Sequence, residues 1–226
     1  MGTLYLVRHG QASFGEDDYD RLSPLGHRQA RRLGEYLRER FEREQVQIDT
    51  VLMGSLTRHR ETWEGMAEGA GWTLTPQVRD GLNEYDSQAL IETVHPEPLA
   101  RPDTPELYRH HFRLLRDALQ AWMAGRTQPR GMPTYGQFVQ GIDEALTQVR
   151  KQCSGNALMV SSGGPISTAL GRVLGTPAET TIELNLRIRN TALAEFQFNP
   201  KRHSVLTWNT LPHLEGPQYQ RWVTYA

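Results

Sequence analysis

The sequence predicts an α/β protein with a sheet that is parallel in its main part and antiparallel at one edge. Short, continuous apolar runs at residues 4–7 and 157–160 end in polar turns, as buried strands do. Between such runs, apolar side chains recur at helical spacing. Strands that alternate with helices favour a mainly parallel sheet, and the β-rich C-terminal part is expected to add the antiparallel edge.

The N-terminal half supplies the elements of this pattern in order. Helical spacing runs from residue 22 to residue 41. Ser23 followed by Pro24 is a typical helix start, because a capping side chain is followed by a proline at the first helical position. The remaining elements of this half are a strand, a helix capped by Ser55 and a short strand, predicted at residues 48–53, 56–70 and 72–78.

The rest of the chain departs from this alternation in two places. Residues 81–133 hold a polar loop and then a helix from about 105 to 124, which we expect to be a helical insertion over one end of the sheet. After Thr181 the pattern becomes β-rich, and the candidate strands are residues 182–188, 191–198 and 205–208. The chain has no internal repeat, so residues 1–226 are predicted to form a single domain.

The composition argues against several classes of function. The chain has 25 basic and 26 acidic side chains, so it lacks the basic excess typical of nonspecific nucleic-acid binding. No apolar run approaches the roughly 20 residues of a membrane span, and the N-terminus shows no signal-peptide pattern. The single cysteine, Cys153, allows neither an internal disulfide nor a thiolate zinc cluster. We therefore expect a cytoplasmic protein with no nucleic-acid or membrane partner.

The end of the first strand carries the first candidate site, Arg8-His9-Gly10. In open α/β sheets, ligands bind outside the carboxyl ends of the strands, where these side chains are expected to lie. A neutral imidazole can attack phosphorus, and a neighbouring guanidinium can bind phosphate oxygens as a fork while it lowers the histidine pKa. The glycine lets the backbone turn closely around an anion. On these residues alone, an ordinary polar strand end is an equally good interpretation.

Arg58 gives this site independent support. The second predicted strand is followed by Ser55-Leu56-Thr57-Arg58, which puts Arg58 in the first turn of the next helix and near the same edge of the sheet. The amides at a helix N-terminus also favour an anion. Other arginines of the chain fit a solvated helix face, whereas the strand-to-helix context of Arg58 repeats that of Arg8.

In these residues the chain resembles the histidine phosphatase superfamily, the phosphoglycerate-mutase-like proteins. The matching segments follow the expected order along most of the chain: LVRHGQ at 6–11, LSPLG at 22–26 with Gln29 and Ala30, SLTR at 55–58 with Thr62, LNE at 82–84, VSSGG at 160–164 and NT at 190–191. The resemblance implies a three-layer α/β/α sandwich, a phosphohistidine on His9 and a phosphate pocket built from Arg8 and Arg58. It also implies that Gln11 and Ser13 line the substrate side of the pocket.

The chemistry also needs an acid/base group, and the resemblance assigns this role to Glu84. A carboxylic acid can protonate the alkoxide leaving group as the ester bond breaks, and the carboxylate can then activate water. Asp80, Asp86 and Glu92 are competitors close in sequence, although a position on the surface is the plainer interpretation of each. The register of Glu84 with Leu82 favours Glu84.

The chain departs from the family pattern at Ser162, where the superfamily usually has a second histidine. Ser162 is still predicted to bind the phosphate, since its hydroxyl can donate one neutral hydrogen bond, but it cannot carry charge. Charge-assisted hydrogen bonds contribute roughly 1.5–3 kcal/mol against about 0.5–1.5 kcal/mol for neutral ones. Reduced activity is therefore expected, and Ser162→His is predicted to raise the rate. The backbone amides of Gly163 and Gly164 are one predicted compensation at the phosphate. Ser162 is not expected to be a hydrolase nucleophile, because the glycine pattern of the nucleophile elbow is absent.

A second compensation would be another histidine that folds into the pocket. His59 adjoins Arg58, but successive helical residues point in different directions. A solvated or structural role is therefore predicted for all of the remaining histidines, His27, His59, His95, His110, His111, His203 and His213. The acidic side chains of the loop at 15–20, which are Glu16, Asp17, Asp18 and Asp20, are likewise predicted to be solvated. No metal ion and no cofactor are expected.

Three functions fit these residues. The favoured one is a phosphatase that hydrolyses a phosphomonoester, with a phosphorylated small molecule or a phosphoprotein as its partner. A phosphoglycerate-mutase-type phosphotransferase would need extra cations for a second anionic group, for which the candidates are Arg101, Arg109, Arg113 and Arg116. The third is a noncatalytic phosphate-ester- or phosphoprotein-binding module, which Ser162 favours. Exposed β edges near the C-terminus permit a homodimer without requiring one.

Overall fold

A single six-stranded sheet organises the computed structural model, which describes residues 1–13, 20–99 and 104–225. Glu16, Asp17, Asp18 and Arg101, which the sequence analysis considers, lie outside these residues. The strands follow the order β3-β2-β4-β1-β5-β6. Their bounds are β1 Gly2–Arg8, β2 Ile48–Met53, β3 Gln77–Val78, β4 Asn156–Ser161, β5 Leu193–Phe198 and β6 His203–Thr210.

Strand direction divides the sheet into two parts. Strands β3, β2, β4 and β1 run parallel to one another, whereas β5 runs antiparallel to β1 and β6 antiparallel to β5, so β5 alone runs against the other strands. The predicted sheet, mainly parallel with an antiparallel edge, is therefore confirmed. The strand expected at residues 72–78 is present only as the two residues of β3.

Helices cover both faces of the sheet, and successive side chains of a strand face opposite layers. Tyr5 and Val7 of β1 pack with one layer, which contains α1 Pro24–Glu44 and α2 Thr57–Ala70. Leu4 and Leu6 pack with the other layer. The remaining helices are α3 Ser87–Glu92, α4 Pro105–Met123, α5 Tyr135–Gln152, α6 Gly163–Leu174 and α7 Ala178–Arg187. This arrangement confirms the three-layer α/β/α sandwich.

The two predicted helix starts have opposite outcomes. Ser23 is the N-cap of α1, and its hydroxyl accepts from the Gly26 N–H at 3.0 Å, as predicted. Ser55 does not cap α2, because Leu56 is the N-cap residue. The first N–H of α2, that of Thr57, instead donates to the Asp20 carboxylate at 2.8 Å. The cap acceptor thus comes from a distant loop, which no local pattern could show.

Two elements on the C-terminal side were misjudged or missed from the sequence pattern. The strand predicted at residues 182–188 is wrong, because α7 continues to Arg187. Apolar residues alternate there with polar ones as in a strand, yet Ile182 is buried in a helix that packs against α4 and α6. Helix α5 was not predicted, although Thr134 and Gln137 form a capping box that the sequence carries in plain form.

The region of residues 81–133 contains α3 and α4. A single domain with a helical insertion at about 81–133 stays a prediction. In the part of the chain that the structure describes, every helix is too short or too polar to cross a membrane.

Candidate active site

The ends of β1 and β4 lie side by side and bring the candidate residues together. Arg8 pairs in register with Ser161, and the His9 N–H donates to the Ser161 carbonyl at 2.9 Å. Because side chains alternate along a strand, Arg8 and Ser161 face one layer while His9 and Ser162 face the layer of α1 and α2. The two strand ends therefore present His9 and Ser162 as neighbours.

His9 is held as a neutral imidazole with a defined tautomer. The residue is only 3% exposed, and its Nδ1 lies 2.7 Å from the carbonyl oxygen of Gly10. A carbonyl only accepts, so Nδ1 carries the hydrogen and the Nε2 lone pair is left for an electrophile. Burial and the positive charges of Arg58 and Arg8 lower the pKa of His9 well below its usual value. The ring is thus in the form that a nucleophile requires.

The backbone on either side of the His9 ring is also fixed. The His9 carbonyl accepts from the Thr191 N–H at 3.2 Å and from Asn190 Nδ2 at 3.4 Å. The Gly10 N–H donates to Thr62 Oγ1 at 3.0 Å. Thr62 Oγ1 in turn donates to the Arg58 carbonyl at 2.7 Å, so the turn after β1 is joined to the first turns of α2.

Arg8 and Arg58 supply the positive charge of the site, and both are nearly buried. Arg8 Nη1 donates to the Ile188 carbonyl at 2.5 Å, which fixes one end of its guanidinium. Arg58 Nη1 donates to Asp20 Oδ1 at 2.7 Å. The carboxylate of Asp20 therefore binds both Arg58 and the N-terminus of α2, a role that the prediction of a solvated side chain missed.

Glu84 faces the N-terminus of α6. The Gly164 N–H donates to both carboxylate oxygens at 3.1 Å, and the Tyr85 N–H donates to Oε1 at 3.3 Å. Burial raises the pKa of the Glu84 carboxyl, although the Gly164 N–H and the charges of Arg58 and Arg8 oppose the rise. A carboxyl with a raised pKa beside two cations is suited to give and take a proton near an anion.

The competing carboxylates have other positions. Asp86 is the N-cap of α3 and accepts from the Gln88 N–H at 2.9 Å and the Ala89 N–H at 3.0 Å. Glu92 is exposed and accepts from Gln88 Nε2 at 3.1 Å. The charges of both Arg58 and Arg8 act on the pKa of Glu84, which favours Glu84 as the acid/base group.

Ser162 has a partner that the sequence analysis placed elsewhere. His59 Nε2 lies 2.7 Å from Ser162 Oγ, and both residues are 0% exposed. The His59 and His9 rings are 5.8 Å apart between centroids. Burial, and secondly the charge of Arg58, lowers the pKa of His59 to about 3, so the ring is neutral. Arg58 and His59 diverge as expected, to Asp20 and to Ser162, but both lie in the first turn of α2, so both lie near His9.

The other predicted pocket residues have contacts of their own, and a role in the pocket stays a prediction for Gln11, Ser13 and Gly163. Gly163 is the first residue of α6, and a Cβ on it would stand 2.7 Å from Asn185 Oδ1. The Gly164 N–H donates to Glu84, and the role of the Gly163 and Gly164 amides at a phosphate stays a prediction. Gln11 Oε1 accepts from Ser23 Oγ at 2.8 Å, and the Ser13 N–H donates to the Arg21 carbonyl at 2.8 Å.

The remaining histidines and the acidic side chains are possible metal ligands. Within residues 1–13, 20–99 and 104–225, no cluster of three or more His, Cys, Asp and Glu side chains could hold a metal ion. His213 is buried, and its Nε2 lies 3.0 Å from Thr191 Oγ1.

An aromatic cluster that includes Tyr85, the residue after Glu84, leaves a void of about 20 Å³, enough for a water molecule but not for a substrate group. Its rings are Tyr85, Trp122, Tyr135 and Phe138.

Comparison with known proteins finds relatives along nearly the whole chain. Residues 4–211 match the model of the histidine phosphatase superfamily (branch 1). One curated relative, the probable phosphoglycerate mutase GpmB of Photorhabdus laumondii, is 26% identical over 230 residues, which cover 96% of this chain and 97% of the relative.

Solved structures share the fold at lower identity. A mutant phosphoserine phosphatase from Entamoeba histolytica, in complex with phosphoserine, has a TM-score of 0.63 and 17% identity, and the match covers 95% of this chain and 100% of that one. A mycobacterial glucosyl-3-phosphoglycerate phosphatase with VO3 has a TM-score of 0.66 and 19% identity, covering 93% of this chain and 100% of that one. At these identities the likeness establishes the fold alone.

Proposed function

Because the chain belongs to the histidine phosphatase superfamily, we propose that it hydrolyses a phosphomonoester through a phosphohistidine on His9. One observation carries this assignment. The Nδ1 of His9 is engaged by the Gly10 carbonyl, while burial and two arginines keep the ring neutral, so Nε2 is available as a nucleophile. The relatives named above include phosphatases and a probable mutase, which supports the reaction class.

In the first step the phosphoryl group moves from the substrate to His9. Arg8 and Arg58 bind the phosphoryl oxygens and neutralise the charge that builds on them. The Nε2 lone pair forms a bond to phosphorus as the ester P–O bond breaks. The protonated Glu84 carboxyl gives its proton to the departing oxygen, so the product leaves as a neutral alcohol.

In the second step water releases the phosphate. The Glu84 carboxylate takes a proton from water while the water oxygen forms a bond to phosphorus. The P–N bond breaks and its electron pair returns to Nε2, which restores the free imidazole. Phosphate leaves, and Glu84 is again protonated for the next substrate.

A mutase is the second candidate, since one curated relative carries that name. It would require cations for a second anionic group, yet Arg109 and Arg116 pair with the carboxylates of Glu106 and Glu183. Arg113 donates to His110 Nδ1 at 2.8 Å. These pairings favour the phosphatase. A phosphorylated small molecule or phosphoprotein as substrate, action in the cytoplasm and a homodimer stay predictions.

The test is phosphate release from p-nitrophenyl phosphate by the wild type and by His9→Ala. We expect the variant to lose at least about 10³-fold in kcat/KM, because removal of a nucleophile leaves only the surrounding binding groups. His27→Ala, which changes an exposed histidine, is the matched control and should keep the wild-type rate. Equal rates for the wild type and His9→Ala would reject the mechanism.

Two further outcomes separate the alternatives. Interconversion of phosphoglycerates in preference to phosphate release would promote the mutase. Binding of phosphate esters with no turnover by the wild type would favour the noncatalytic binding module.

A further inference from the structure

The His59 imidazole and the Ser162 hydroxyl form a buried pair next to the candidate nucleophile. Their 2.7 Å separation is at the short end of the range for a hydrogen bond between nitrogen and oxygen. Both residues are 0% exposed, and the His59 ring lies 5.8 Å from that of His9. A hydroxyl at the end of β4 is thus held by a side chain of α2.

The backbone near this pair leaves space for the His59 ring. A Cβ on Gly54 would collide with His59 Nδ1 and stand 2.6 Å from Asn83 Oδ1. Among the residues that the structure describes, the glycines with positive φ are Gly71, Gly125, Gly131 and Gly175, so the backbone angles of Gly54 do not demand a glycine. Room for the imidazole is therefore the physical reason for a glycine at position 54.

The Ser162 hydroxyl is directed to this imidazole and away from its own helix. Ser162 is the N-cap of α6 and has an extended backbone, a position from which serine commonly accepts a hydrogen bond from the helix. Within the described part of the chain, its side chain makes no such cap bond. The pKa of His59, lowered to about 3, keeps the ring neutral, with one donor and one acceptor nitrogen.

We propose that His59 is a positioning residue that orients the Ser162 hydroxyl toward a phosphoryl oxygen bound beside His9. When Nε2 carries a hydrogen, His59 donates to Oγ and the hydroxyl hydrogen is left for the anion. When only Nδ1 carries it, Ser162 donates to the ring and turns its lone pairs to the anion, which the negative charge disfavours. A bound phosphoryl group therefore favours the donor form of the pair, against the backbone of Gly54, whose hydrogen bond raises the pKa of His59 and favours hydrogen on Nδ1.

This role rests on the proposed function and goes beyond it, since it assigns a neutral donor for the transferring group in addition to the two arginines. Donors that are already oriented stabilise developing charge better than a freely rotating hydroxyl, because they need no reorganisation during the reaction. The pair therefore gives Ser162 a fixed donor direction, which the serine lacks on its own.

A double-mutant cycle tests the pair with a phosphomonoester substrate. Ser162→Ala and His59→Leu should each lower kcat about 10- to 100-fold with little change in KM, because the hydrogen bond matters most in the transition state. The double variant should resemble Ser162→Ala, because both substitutions disable one unit. Because the double variant removes both polar side chains, it leaves no buried polar group of the pair unpaired, and it therefore controls for misfolding. Thermal unfolding of all four proteins verifies the fold.

A conservative variant separates positioning from packing. His59→Gln places a side-chain donor near the position of Nε2 and should recover most of the kcat that His59→Leu loses. Losses in kcat that add in the double variant, or a wild-type kcat for Ser162→Ala, would overturn the assignment. Failure of the proposed function itself is seen separately, as equal rates for the wild type and His9→Ala. If the wild type shows no turnover, the same double-mutant cycle can be measured with the affinity for inorganic vanadate in place of kcat. Each single variant should then bind vanadate more weakly than the wild type.

Discussion

The ends of β1 and β4 meet at the same site but are fixed in different ways. At β1 the main chain is fixed, since the His9 carbonyl and the Gly10 N–H are bound by Thr191, Asn190 and Thr62. Near the end of β4, side chains instead bind one another or nearby backbone amides. Ser162 meets His59, and the Glu84 carboxylate binds the Gly164 N–H.

The β1 network extends far along the chain. Asn190 Oδ1 accepts from Thr224 Oγ1 at 2.9 Å, and Thr224 Oγ1 also accepts from Gln29 Nε2 at 2.9 Å. Gln29 is fully buried, and its Oε1 accepts from the Gln11 N–H at 2.8 Å. The turn that carries His9 is therefore tied to α1 and to the C-terminal residues.

This difference predicts which variants lose stability and which lose only activity. A substitution in the β1 network leaves buried polar groups unpaired in distant parts of the fold, so it should lower both stability and rate. The pairs at β4 involve few partners, and their loss should reduce the rate more than the stability. Variants of the β1 network and of the β4 pairs can test this difference separately.

The largest effect is expected from Glu84→Gln, on the β4 side. The amide cannot protonate a leaving group, so turnover of alkyl phosphates should fall about 10²–10⁴-fold. The loss should be smaller with p-nitrophenyl phosphate, because its leaving group is stabilised without a proton. Steady-state kinetics with both substrates measure the difference, while Asp86→Asn tests the competing carboxylate. Equal losses with the two substrates would show that Glu84 is not the general acid.

The β1 side is challenged by Gln29→Leu. Leucine is similar in size, but it leaves the Gln11 N–H, the Trp222 carbonyl and the Thr224 hydroxyl without the amide that binds them. We expect a loss of at least about 2 kcal/mol in the free energy of unfolding, since each unpaired buried group costs about 1–3 kcal/mol. A lower kcat should accompany it.

Urea unfolding compares Gln29→Leu with Gln152→Leu, a control at the exposed end of α5. A stable Gln29→Leu protein with normal kcat would mean that the network does not hold the His9 turn.

The pH dependence of stability should change at His59. Its folded pKa of about 3 lies below the unfolded value, so protonation favours the unfolded chain and stability is lost as the pH falls below about 6.5. Protonation of His59 in the unfolded chain should lower the free energy of unfolding by about 2 kcal/mol between pH 7 and pH 5, at 1.36 kcal/mol per pH unit. His59→Gln removes it, so denaturant curves at the two pH values should show a smaller decline. An unchanged decline would place the titration at the other histidines whose pKa is lowered, which include His9, His203 and His213.

The pH profile of kcat/KM should also be shifted. His9 stays neutral far below pH 6.5 because its pKa is lowered, whereas Glu84 keeps its proton to a higher pH than usual because its pKa is raised. The profile of kcat/KM should therefore be displaced to acidic pH, with a decline toward alkaline pH for alkyl phosphates. Assays from pH 4 to 9 measure it, and a profile that rises through pH 9 would contradict the roles of both groups.

Sequence patterns predicted several features in which a residue acts through its own neighbours, although the local capping box of α5 was overlooked. The end of β1, the cap of α1 by Ser23 and a mainly parallel sheet with an antiparallel edge follow from spacing and alternation, whereas the three layers were implied by the family resemblance. Contacts across the fold were not predictable, as Asp20 on Arg58 shows. Helix α7 follows the same rule, since its strand-like alternation is outweighed by packing against α4 and α6.

His59 is the instructive case among the site residues. Spacing along a helix separates it correctly from Arg58, but it cannot show that the end of α2 is aimed at the end of β4. The prediction that Ser162→His alone raises the rate therefore needs revision. It treats position 162 as open, whereas the His59 ring already lies 2.7 Å from the Ser162 hydroxyl.

The smallest and most diagnostic effect is expected from exchanging the two side chains. Ser162→His alone should overpack the site, cost about 1–3 kcal/mol in stability and lower kcat. Adding His59→Ala frees the space, and kcat should return to within about tenfold of the wild type, because the imidazole then reaches the site from β4 itself. His59→Ala alone is the matched control and should stay impaired, since it leaves the hydroxyl without its partner. A single Ser162→His variant that is faster than the wild type would show that the His59 ring can move aside, and that the β4 end is less tightly packed than its burial indicates.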